Sequence, residues 1–252
     1  MSKVVFENEQ TSFLRIAYPQ PALAGLINYY FEVDTTCSLA PVNITGLPSV
    51  NTLIAINLCR EKDIRLMGHL TRCVTGSYAP GGKAFYAKLK PGAFTRLFPF
   101  SPKNIQDSQI ENLCLFKHFS AWQFADLPSF RHRIDLFETW LLQQHHPFAA
   151  FYRQQYVDLF ISVFSHVQYS LPETIQALCD RHHITYASLR RYFLEQTGVT
   201  PKYCRKVIRF KSALQAYRTF GYHFNYPDFG YTDFSHFCKD AKGLTGKAPL
   251  EL

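Results

Sequence analysis

The sequence predicts an α+β protein of more than one domain, with a small antiparallel β barrel or sandwich first and an all-α domain last. Three observations predict it. The first hundred residues read as short strands punctuated by Gly and Pro, and the pattern turns helical after about Asn112. The last third carries the same capped helix twice, with corresponding positions 48 residues apart.

Composition sets the outer bounds. A chain of 252 residues with 47% hydrophobic and 16% aromatic content can bury one large core or two small ones. Lys plus Arg number 27 against 19 Asp plus Glu, a net charge of +8, which suits a polyanionic partner. From Leu171 onward twelve basic side chains face seven acidic ones, so basic density is greatest in the last third. The start, Met1 to Asn8, lacks the apolar stretch of a signal peptide, and no run reaches the ~18 apolar residues of a membrane span. A cytoplasmic protein without membrane contact is expected. Its seven cysteines form no Cys-x-x-Cys pair, so reduced and mostly buried thiols are expected.

The elements follow in order. Asn51–Leu58 and Ala84–Leu89 are rich in strand-favouring residues, with turns at Gly46-Leu47-Pro48, Pro80-Gly81-Gly82 and Pro91-Gly92. Tyr29, Tyr30, Phe31 and Tyr86 are candidates to line an apolar pocket, or plain core. Ile134, Phe137 and Leu141, then Val157, Phe160, Ile161 and Phe164, keep the helical period on either side of Pro147. A third helical stripe, Tyr203, Val207, Phe210, Leu214 and Tyr217, predicts a helix over 202–218.

The repeated helix reads Thr185, Leu189, Phe193, Gly198, Pro201 in one copy and Asp233, Phe237, Ala241, Gly246, Pro249 in the other. Each opens with a side chain able to cap a helix N-terminus, and each closes with Gly and then Pro. Arg191 and Lys239 hold equivalent places opposite the apolar stripe, so both helices offer a cation to solvent. Double-stranded DNA is the first candidate partner for such a pair.

The run Gly230-Tyr231-Thr232-Asp233-Phe234-Ser235-His236-Phe237, the close Thr245-Gly246-Lys247-Ala248-Pro249, and the earlier Thr185–Phe193 with Thr197–Pro201 resemble the DNA-binding domain of AraC-type (AraC/XylS) transcriptional regulators. The resemblance implies two helix-turn-helix units joined by a linker helix over 171–252. Residues 1–120 resemble the cupin-like sensory domain that often precedes it, on Gly68-His69, Lys90–Ala93 and Leu97-Phe98, and 121–170 form a helical connector. It further implies a sequence-specific regulator controlled by a signal sensed in the N-terminal domain. Candidate DNA-binding residues are Tyr186, Ala187, Arg190 and Arg191 in the first unit and Phe234, Ser235 and Lys239 in the second. Thr185 and Asp233 act as helix caps, and Lys202, Lys211 and Lys247 are candidate phosphate contacts. Arg190 is the candidate for base readout, since an Arg–guanine pair gives about 1–3 kcal/mol of discrimination.

The second unit departs from the pattern. Pro227 falls inside its supporting helix, and Ala241 stands where a bulky core residue is usual, leaving space unless Phe224 or Phe229 fills it. An alternative is therefore a protein-binding regulatory module that has lost specific DNA binding. An enzyme is not expected: before residue 118 the only histidine is His69, and no nucleophile or phosphate-loop pattern occurs. No metal or cofactor is expected. Candidate partners are promoter DNA, RNA polymerase, an unknown small-molecule effector and a second copy of the chain.

Overall fold

The protein is described here by a computed structural model, which describes residues 3–4, 12–59, 63–98, 100–111, 116, 118–144, 151–165 and 174–252. Cys114, His145, His146 and Pro147 lie outside the described residues. The strands are β1 (Lys3–Val4), β2 (Leu14–Ala17), β3 (Ile27–Asp34), β4 (Val42–Gly46), β5 (Leu53–Asn57), β6 (Ile64–Met67), β7 (Val74–Tyr78), β8 (Lys83–Leu89) and β9 (Gln109–Glu111). The helices are α1 (Phe94–Leu97), α2 (Ala121–Ala125), α3 (Phe130–Gln144), α4 (Phe151–Ser165), α5 (Ile175–Arg181), α6 (Tyr186–Thr197), α7 (Pro201–Phe220) and α8 (Phe234–Thr245). A β-rich region is thus followed by a helical one.

Six strands form one antiparallel sheet in the order β2-β3-β8-β5-β6-β9, and three form a second in the order β1-β4-β7. The second sheet departs from the antiparallel expectation, because β1 pairs with β4 in parallel. The expected strand at Asn51–Leu58 is narrower. It ends at Asn57, whose side-chain oxygen accepts from the Cys59 amide at 2.9 Å and turns the chain out of the ladder.

Alternation along the strands separates two cores. Tyr30, Ile54, Ile56, Phe85 and Ala87 pack with Phe124, Ile134, Phe137, Trp140 and Leu141 of α2 and α3. Their neighbours Phe31, Ala55 and Tyr86 face the other way, among Ile44 and Tyr78 of the small sheet. Polar contacts fasten α3 to β3. Arg133 pairs with the fully buried Glu32 at 2.7 Å, and Tyr30 donates its hydroxyl to Glu138 at 3.2 Å. Burial and the nearby Glu138 carboxylate raise the Tyr30 pKa, so its proton stays in place.

The helical stretch before the last domain divides between cores. α3 belongs to the β core, whereas Val157, Phe160 and Phe164 of α4 pack with Leu178, Leu189, Phe193 and Cys204. Each phenylalanine buried there contributes about 1.5–3 kcal/mol. The β region also reaches into the helical one. Val50 joins the core of α4, α5 and α6, and Leu47 joins that of α7 and α8.

Candidate nucleic-acid interface

The first unit consists of α5, a turn and α6. The turn passes through His183 at φ 52°, a left-handed conformation that histidine adopts more readily than most residues. Thr185 then caps α6, its hydroxyl oxygen accepting from the Ser188 amide at 3.1 Å. In the second unit Gly230, at φ 67°, makes the corresponding turn, and Asp233 caps α8 by accepting from the His236 amide at 2.7 Å. Both expected caps are in place.

The 48-residue spacing holds in three dimensions. α6 and α8 are each 12 residues long and end on glycines of nearly one conformation, Gly198 at φ 77°, ψ −3° and Gly246 at φ 76°, ψ −1°. Both also share a closing device. Thr197 donates to the Phe193 carbonyl at 2.7 Å and accepts from the Val199 amide at 3.3 Å; Thr245 donates to the Ala241 carbonyl at 2.7 Å and accepts from the Lys247 amide at 3.1 Å. The Thr-Gly pairs stand 48 residues apart in the sequence, Thr197-Gly198 and Thr245-Gly246.

α7 carries both units and is longer than the 202–218 expected, running from Pro201 to Phe220. Thr200 caps its start and Pro201 fills a first-turn position that needs no amide donor. Twenty residues at ~1.5 Å per residue give about 30 Å, close to the ~34 Å between successive major-groove turns.

The supporting helix of the second unit is reduced. Two short 3₁₀ turns, Gly221–His223 and Tyr226–Phe229, replace it, and Pro227 sits at the start of the second, where its missing amide costs nothing. Ala241 is fully buried in a core dominated by aromatic rings. Phe224 lies 5.1 Å from Phe237 and 5.4 Å from Phe229, and Tyr217 of α7 lies 5.8 Å from both Phe224 and Phe237. An ion-pair cluster that joins residues distant in sequence adds to this. Asp240 of α8 meets Arg209 at 2.5 Å and Lys206 at 3.2 Å, both from α7, while Arg209 lies 4.3 Å over the Tyr231 ring.

The candidate contact residues differ in setting. Ala187, Arg190, Arg191, Ser235 and Lys239 are exposed. The Arg191 guanidinium lies 5.5 Å from the centre of the Tyr192 ring. Tyr186 is half-buried against the first unit's core. Phe234 is 41% exposed and rests on Tyr217 and Phe237 at 5.7 and 5.9 Å. Lys202 and Lys247 are exposed, but Lys211 is turned inward and lines the space between α7 and the β region.

That region holds an apolar cavity of about 250 Å³ between its two sheets, lined by Tyr29, Phe31, Met67, Tyr78 and Tyr86, with Lys88 in its wall. Tyr29, Phe31 and Tyr86 stand where a pocket was expected. Tyr30 does not: strand alternation sends it to the α3 core, a signal already present in the sequence. Lys88 is buried and its ammonium donates to the Tyr29 hydroxyl at 2.9 Å. Tyr78 and Tyr86 share a 2.7 Å hydrogen bond, and burial raises the pKa of each. Among the described residues no three His, Cys, Asp or Glu side chains converge as a metal site, and no helix is long and apolar enough to cross a membrane.

The β region contacts α4, α6 and α7 directly. Thr95 bonds Gln196 of α6 at 2.6 Å, Tyr203 of α7 donates to the Thr71 carbonyl at 3.2 Å, and Gln154 of α4 donates to the Pro91 carbonyl at 3.2 Å. A Cβ at Gly198 would lie 2.8 Å from Cε1 of His69, a fully buried ring. Gly246 has no atom within 4 Å of that position.

No family model and no curated protein matches the chain. Solved structures of ToxT from Vibrio cholerae are similar in shape. The wild-type protein of strain SCE256 with an unsaturated fatty acid bound is 11% identical, with a TM-score of 0.41, over 97% of this chain and 96% of that one. ToxT of strain O395 is 11% identical, with a TM-score of 0.40, over 96% and 97%.

Proposed function

We propose that the chain is an AraC-type transcriptional regulator that binds promoter DNA through α6 and α8 and responds to a small molecule taken up by its β region. The observation that carries this reading is the equivalence of the two helices: equal length, equivalent caps, matched left-handed glycines, and exposed Arg190, Arg191 and Lys239 on their outer faces. The ~30 Å α7 suits placing both helices in successive major-groove turns on one face of a duplex.

The packing of the second unit supports its use as a DNA-binding element. Its reduced support is compensated by Phe224, Phe229 and Tyr217 and by the Arg209–Asp240 pair, so α8 is held as a rigid helix. Arg190 supplies base readout, while Ser235 and Lys239 give less selective contacts. The apolar cavity is the effector site, and Thr95, His69 and Thr71 transmit its state to α6 and α7. Bound at a promoter, such a protein acts on RNA polymerase.

The test is binding of the full chain to fragments selected from its own genome, followed by fluorescence anisotropy at two salt concentrations. Specific, strongly salt-dependent binding is expected, because each phosphate neutralised releases counterions. Binding no tighter than to random DNA at low salt, with and without cell-extract small molecules, would overturn the reading.

A further inference from the structure

The loop that follows β6 carries His69, a fully buried ring with neither nitrogen in a hydrogen bond of good geometry. A buried polar group left without a partner costs free energy, so its retention calls for a reason. The ring faces the first unit. Its Cε1 stands 2.8 Å from where a Cβ would lie on Gly198, the glycine that closes α6, and the Lys103 amide nitrogen lies 3.1 Å from the same point. The end of α6 therefore rests at once on His69 and on the 3₁₀ turn Pro102–Ile105. The loop itself is braced. The His69 carbonyl accepts from the Asp107 amide at 3.0 Å, and the Asp107 carboxylate accepts from the Thr71 amide at 2.6 Å and from the Thr71 hydroxyl. The Thr71 carbonyl in turn accepts from the Tyr203 hydroxyl of α7. Two contacts with the helical region thus hang on three consecutive residues.

The charges around the ring single out His69 as the group that titrates near neutrality. On its own side, burial disfavours the charged ring more strongly than Asp107 and Gln106 favour it. Burial raises Asp107, but the Thr71 hydrogen bonds overcome this and hold its carboxyl below the ordinary value, with Arg72 adding to the pull. Lys103 of the 3₁₀ turn is an exposed cation. From α6, Glu195 is paired with Arg153 and Gln196 is bonded to Thr95, and Thr197 and Gly198 carry no charge. From α7, Lys202 is exposed, and burial followed by Asp107 pushes the Tyr203 hydroxyl up to about 12, so it stays neutral. We infer that His69 is a pH-sensitive latch, and that protonation of its ring in mildly acid solution releases the end of α6 and the start of α7 from the β region. Once released, the ring meets water and takes up its proton at the ordinary value near 6.5. The released state binds more protons, so docking is favoured above pH 6.5 and weakens as the pH falls below it. The latch belongs to the free protein and does not depend on DNA binding.

The test is hydrogen–deuterium exchange of the full chain at about pH 7.5 and about pH 5.5, on either side of the ordinary histidine value, corrected for the intrinsic effect of pH on amide exchange. Peptides over 69–73 and 194–203 report the two sides of the contact, and peptides over α3 and α8 report the rest of the fold. In the wild type the opening constant of the two contact segments is expected to rise by up to about tenfold at the lower pH, the most that one proton supplies over that interval, with α3 and α8 unchanged. His69→Phe and His69→Gln take up no proton, so neither should show the rise. One variant keeps a ring and the other a polar side chain, so a packing defect in either does not decide the result. An equal rise in both variants would assign the opening to another group, such as His182 or His183 at the opposite end of α6, and would overturn the latch. No rise in the wild type, or a rise shared by α3 and α8, would overturn it as well.

Discussion

Arg209 of α7 meets Asp240 of α8 at 2.5 Å and at the same time covers the Tyr231 ring at 4.3 Å. One side chain therefore fastens α8 to α7 and closes over the aromatic core beneath. Asp240 is buried, so losing Arg209 leaves its charge with Lys206 alone. Arg209→Ala is expected to cost about 1–2 kcal/mol in thermal or urea unfolding, below the full cost of a wholly buried pair because Arg209 retains some exposure. A double-mutant cycle with Asp240→Asn that shows no coupling would contradict the clamp.

Gly198 and Gly246 hold the same backbone conformation in different surroundings, so replacing each with Ala separates strain from docking. Gly246→Ala is expected to cost about 1–2 kcal/mol, the penalty of a left-handed residue bearing a Cβ. Gly198→Ala adds a contact of 2.8 Å with the buried His69 ring and is expected to cost more. Equal losses in unfolding experiments would mean that His69 does not press on the end of α6.

His69 also predicts a pH dependence. Burial lowers its pKa from 6.5, although Asp107 and Gln106 favour the charged form. The folded protein therefore favours the neutral ring more than the unfolded chain does, and the unfolded chain takes up its proton around pH 6.5. Stability from this group is fully present above pH 6.5 and declines as the pH falls from there toward the lowered folded value. His69→Phe is expected to flatten that part of the stability profile. A wild-type profile that does not fall below pH 6.5 would contradict it.

The caps give a fourth expectation. Thr185→Ala and Asp233→Ala each remove a side-chain acceptor from an exposed helix start. Each is expected to cost about 1 kcal/mol without altering which DNA sequence is preferred. A changed preference would mean that these residues touch bases.

Much of the helical half was legible because its signals are local. Caps, left-handed glycines, first-turn prolines and a four-residue apolar step all act within one or two turns, so Thr185, Gly198, Asp233 and Gly246 could be placed before any contact was known. Strand alternation was equally local, and it separates Tyr30 from Tyr29 and Phe31. What remained hidden depends on distant pairs. Nothing near Lys211 in the chain says that it turns toward the β region, and nothing near Pro227 says that Phe224 packs on Phe237 in the core that buries Ala241. The Arg209–Asp240 pair and the contact of His69 with Gly198 likewise join residues that only the packed fold brings together.

The central claim is that α6 reads DNA sequence through Arg190 while α8 adds less selective affinity. The direct measurement is anisotropy binding of wild type, Arg190→Ala and Lys239→Ala to a selected genomic fragment and to a base-substituted copy. Arg190→Ala is expected to lose about 1–3 kcal/mol of discrimination between the two, whereas Lys239→Ala weakens both alike and lowers the salt slope. Undiminished discrimination in Arg190→Ala would contradict the account.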